Sequence, residues 1–156
     1  MKTIEVQSAR ARLASAWIPG SGVLALILIL KTVLGNYARE DGTDDKSAEA
    51  WQWFLPSVLP TMTLIVGVLV ANALQLSAKP QRVNYAVFRL AFWLSVAYLL
   101  AVGLTIFIAP FTRIGPLKLM GMSSIYLGPF QGLVAGALGV FFVSKDQSGG
   151  GKANAK

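Results

Sequence analysis

The chain has 156 residues, of which 54% are hydrophobic and 13% charged, with a net charge of +7 and a mean hydropathy of +0.59. Ordinary soluble domains carry about 25% charged residues, so the composition indicates an integral membrane protein with no length left for a separate soluble domain. Histidine and cysteine are absent, and no acidic residue lies between Glu49 and Asp146; this excludes disulfides and thiolate metal sites and removes the usual general bases and nucleophiles.

The N-terminal segment is basic, with Lys2, Arg10 and Arg12. Ala9, Leu13 and Trp17 follow at four-residue spacing, which predicts an amphipathic helix lying in the membrane interface. Pro19-Gly20 is expected to turn it into the first span, over residues 17–34. No small-residue cleavage pattern follows that run, so it is read as a retained span and not a secretory signal.

The first connection, residues 35–49, holds Glu40, Asp41, Asp44, Asp45 and Glu49 against Arg39 and Lys46, a net charge of −3. It lacks the spacing of an EF-hand and reads as a solvated acidic loop. In a symmetric oligomer its copies would form an acidic ring that attracts cations.

The second span is expected over residues 54–76, with Pro56 and Pro60 in its first two turns, where a helix start tolerates proline. Asn72 and Gln75 lie toward its far end, and Lys79 and Arg82 follow. The third span is expected over residues 85–109, closed by Pro110, with Arg89 one turn inside. Lys79, Arg82 and Arg89 are candidates for lipid headgroups or an inner vestibule, because long basic side chains near span ends reach the interface.

The fourth span is expected over residues 124–143, followed by a flexible tail at 144–156. Gly128, Gly132, Gly136 and Gly139 share one face of it, a pattern that lets helix backbones approach within one subunit or between copies. Gln131, with Asn72 and Gln75, supplies either interhelical hydrogen bonds or the lining of a polar path, since an unpaired amide in hydrocarbon costs several kcal/mol.

These elements predict an all-α bundle of four transmembrane helices. Nine basic residues lie on the side of the two termini and second connection, and five on the other. The positive-inside rule therefore puts both termini in the cytoplasm, here of a bacterial inner membrane. An enzyme is not expected, and neither cofactor, metal nor nucleic acid is implied. Membrane lipids, further copies of the chain and a soluble cytoplasmic protein are the expected partners. Two functions fit this layout: an ion-permeable, channel-like homo-oligomer, or a non-conducting structural or sensing subunit of a larger complex, as in the membrane component of a bacterial defence system.

Overall fold

Four long segments are apolar on nearly all sides, and each becomes a helix, the one conformation in which a single segment satisfies its own backbone in hydrocarbon. A computed structural model describes residues 3–37, 46–74 and 82–142. Helix α1 is Val6–Val33, α2 is Ser47–Leu74, α3 is Tyr85–Ile108 and α4 is Pro116–Phe142. Two short strands, β1 (Thr3–Glu5) and β2 (Arg82–Asn84), pair antiparallel.

The ribbon was not anticipated from the sequence. Its register sets Thr3 opposite Asn84 and Glu5 opposite Arg82, and each strand runs straight into a helix. The ribbon ties together the segments that lead into α1 and α3, which run parallel: Trp17 stacks on Tyr98, Leu24 meets Gly103 and Lys31 reaches the Ile106 carbonyl. The Asn84 side chain accepts a hydrogen bond from the Ala86 N–H at 3.0 Å, capping α3.

Three corrections to the sequence reading concern the helix starts. The expected interfacial helix does not form: residues 9–17 are the first turns of α1, which continues through Pro19. Ala9, Leu13, Trp17, Leu24 and Leu28 are all buried in the bundle, so that stripe faces protein and not headgroups. Helix α2 begins at Ser47, which places Pro56 and Pro60 inside it and Glu49 in its first turn. Helix α4 begins at Pro116, before the expected start.

The end of α1 is set by Gly35, whose φ of 71° is open to glycine. The Gly35 N–H bonds the Thr32 carbonyl at 3.1 Å and the Asn36 N–H bonds the Lys31 carbonyl at 3.0 Å. This is the paired closure of a Schellman motif.

Buried positions on α3 (Phe88, Ala91, Ser95, Tyr98, Val102, Thr105) alternate in steps of three and four, as in helices packed at small crossing angles. The interior is filled with Trp17, Tyr98, Phe141, Ile65 and Leu138, all fully buried. Leu26, Ile29, Leu90, Leu100 and Leu104 are exposed on the outside, which costs nothing where lipid is the solvent.

Three helices are long and apolar enough to cross a membrane: α1, the Ser47–Val70 part of α2, and α3. Helix α4 is not among these three over the residues described. It nevertheless packs along α3 and α2. The α1 start and α4 end meet where the Arg10 Nε donates to the Phe141 carbonyl at 2.5 Å.

Candidate functional site

Proline inside a helix removes the N–H that would pair with the carbonyl four residues earlier. Pro60 frees the Pro56 carbonyl in this way, at mid-depth of the bundle. The Gln131 Nε2 of α4 donates to that carbonyl at 3.0 Å. The next carbonyl, of Ser57, accepts the Tyr98 hydroxyl of α3 at 2.8 Å. The proline-containing turn of α2 is thus held by polar side chains from two other helices. Tyr98 is itself clamped, stacked on Trp17 with ring centroids 6.0 Å apart and edge-on to Phe130 at 5.5 Å.

The same logic repeats at one end. Pro110 frees the Ile106 carbonyl, and the Lys31 Nζ donates to it at 2.6 Å. Lys31 therefore caps a broken helix in addition to sitting near a span end. Helix α4 is tied further by the buried bond from Trp53 Nε1 to Ser123 Oγ at 3.0 Å, and by Phe88 edge-on to Phe141 at 6.3 Å.

The glycine stripe of α4 lies elsewhere. Gly128, Gly132 and Gly136 are exposed, Gly139 is half-buried, and a Cβ added at any of the four would meet open space. At about 100° per residue the stripe points roughly 100–180° away from the buried line of Met120, Leu127, Val134 and Leu138. Gly121, overlooked in the sequence, extends the same open face one heptad earlier and is equally unobstructed. Ile125, 79% exposed, stands between Gly121 and Gly128 as a large side chain in a shallow lane.

Close backbone packing inside the subunit is found between α1 and α3. A Cβ on Gly20 would lie 3.0 Å from Leu99 Cδ1, and one on Gly103 would lie 3.2 Å from Leu24 Cδ2. Each helix thus offers a glycine to the leucine of the other. The sequence signal was present, a glycine and a leucine four apart in both segments, but Pro19 beside Gly20 drew the reading toward a turn.

The remaining expected positions are less informative. Arg89 is exposed near the start of α3. Asn72 lies in α2 and Arg82 in β2, and nothing is described of their side chains. Gln75, Lys79, Glu40, Asp41, Asp44, Asp45 and the tail lie outside the described residues. Among the described residues no group of three or more acidic side chains is placed to hold a metal. Among the described residues, three buried polar atoms have no hydrogen-bond partner: Trp17 Nε1, Tyr37 Oη and Thr61 Oγ1.

No protein-family model matches the chain. Comparison with curated proteins and with solved structures also finds no match.

Proposed function

We propose that the chain is a four-span membrane protein that assembles with copies of itself through the open face of α4, forming a channel-like, ion-permeable unit in which any path for ions runs between subunits. The observation that carries this reading is the glycine face: a Cβ at any of its four glycines would meet open space, which leaves room for a second helix to approach closely. Ile125 supplies a knob for the facing lane. The interior of one bundle is closed by Trp17, Tyr98 and Phe141, which leaves no route along its own axis.

A span role for α4 is supported by its depth. Its early turns meet Trp53 of α2 and its end meets Arg10 of α1, and between them it packs along α3 and α2. The same contact supports a common side for the two described ends, and the basic excess on that side favours the cytoplasm of a bacterial cell. The acidic segment containing Asp44 and Asp45 would then sit at the outer mouths of the assembly.

A second reading, a non-conducting subunit that works with a soluble cytoplasmic protein, is favoured by one observation. The Gln131 amide donates to the Pro56 carbonyl and so serves as an interhelical tie. Mass measurement of the purified protein in detergent, coupled to conductance in planar bilayers, separates the two. The first reading predicts a multimer that conducts, and Gly132→Leu reduces both mass and current. A multimer that carries no current supports the second. A monomer unaffected by Gly132→Leu contradicts assembly through α4.

A further inference from the structure

We infer that Thr61 of α2 and Tyr98 of α3 form a two-position latch inside the bundle, in which their hydroxyls compete for one backbone carbonyl, that of Ser57. Every group in it belongs to one subunit, so the latch is independent of the assembly proposed above.

A serine or threonine inside a helix can return its hydroxyl proton to the carbonyl four residues earlier. Ser21, Thr32, Ser57, Thr63, Ser95 and Thr105 all do so, at distances of 2.6–3.0 Å. Thr61 does not. It is 1% exposed and its hydroxyl has no partner. The carbonyl four residues before it is that of Ser57, which accepts the Tyr98 hydroxyl at 2.8 Å. A carbonyl oxygen has two lone pairs. In a helix one of them serves the N–H four residues on, and at Ser57 the tyrosine takes the other. Tyr98 therefore occupies the place that the Thr61 hydroxyl would fill.

Exchange between the two donors keeps the carbonyl satisfied. A turn of Thr61 about χ1 brings its hydroxyl to Ser57 as Tyr98 leaves, and one hydrogen bond replaces another. The ring stacked on Tyr98 is that of Trp17, whose Nε1 is also buried without a partner. A phenol oxygen released from Ser57 is an acceptor for that N–H. The consequence falls on α2. Tyr98 meets α1 through Trp17 and α4 through Phe130, so its hydroxyl ties α2 to the other three helices at one point. That tie lies in the stretch of α2 that holds Pro56 and Pro60, where two backbone donors are missing. With Tyr98 engaged the stretch is held; with Thr61 engaged it keeps the Gln131 bond alone and can bend at its prolines. Packed interiors change between discrete arrangements of this kind.

Methyl NMR of the full chain in lipid nanodiscs, with threonine methyls labelled, tests the latch. The Thr61 methyl is expected to exchange between two rotamers on the microsecond-to-millisecond timescale, and Tyr98→Phe should move it wholly to the second. The Thr63 methyl, whose hydroxyl already bonds Leu59, should report one rotamer in both proteins. A single Thr61 rotamer in the parent, or one that Tyr98→Phe leaves unchanged, would overturn the latch. Thermal melting gives a second readout. Thr61→Val should melt no lower than the parent, because it removes an unpartnered hydroxyl. Tyr98→Phe should then lower the melting temperature by about 2 °C more in the Thr61→Val background than in the parent, where the threonine takes over the carbonyl. Equal losses in the two backgrounds would also overturn it.

Discussion

Two side chains in this protein act where proline has removed a backbone hydrogen bond from a helix. The Gln131 amide occupies the carbonyl that Pro60 leaves unpaired, and Lys31 does the same for the carbonyl freed by Pro110. An interhelical hydrogen bond in a membrane protein contributes on average about 0.6 kcal/mol and up to about 1.7 kcal/mol. Gln131→Leu is therefore expected to cost about 1 kcal/mol. That cost should largely vanish in a Pro60→Ala background, where a backbone N–H can again reach the Pro56 carbonyl. A double-mutant cycle by denaturation in mixed micelles measures the coupling, and a value near zero would show that the amide serves something other than the kink. Lys31→Met should cost about 1–2 kcal/mol by the same reasoning, since it leaves the Ile106 carbonyl without its donor.

At the scale of elements, two sets of glycines behave differently. Gly20 and Gly103 sit under leucines of the neighbouring helix, whereas Gly128, Gly132 and Gly136 face open space. Gly103→Leu should destabilise the single subunit by several kcal/mol through overpacking, of order 1–3 kcal/mol or more. Gly132→Leu should leave the melting of the subunit unchanged while removing the assembly. The pair is read by thermal melting alongside mass in detergent; equal loss of stability in both would place the α4 face inside the subunit after all. Four helices were legible in the sequence from the length of its apolar runs, and three of them are long and apolar enough to cross a membrane. Which glycine face packs was not legible, because small-residue patterns have the same form whether the partner helix lies in the same chain or another. The continuity of α1 was hidden for a related reason. Pro19 suggests a break in isolation, but neighbouring helices hold a proline-containing helix together in a bundle.

The whole molecule is a closed bundle with polar bonds inside and an apolar exterior. Its two described ends lie together, which the odd–even arrangement of four helices requires and the contact of Arg10 with Phe141 fixes. The sequence contains no cysteine, so single cysteines can be introduced cleanly. Asp44→Cys is expected to react with a membrane-impermeant maleimide on intact cells, and Ser148→Cys only after lysis; the reverse pattern would invert the orientation proposed here. The ribbon of β1 and β2 was beyond the reach of the sequence because each strand is three residues long and its partner is far away in the chain. The acidic residues expected to ring a pore, and the amides Asn72 and Gln75, are tested by function and not by packing.

The most direct test of assembly through α4 uses the same cysteine-free background. Gly128→Cys, Gly132→Cys and Gly136→Cys each place a thiol in open space on the proposed contact face, whereas Trp93→Cys places one on the exposed surface of α3. A disulfide forms only when Cα atoms come within about 7 Å. Mild oxidation in native membranes is predicted to cross-link at least one of the α4 variants into a dimer and to leave the Trp93→Cys variant monomeric. Monomers throughout the α4 series, or equal cross-linking at Trp93→Cys, would contradict the account.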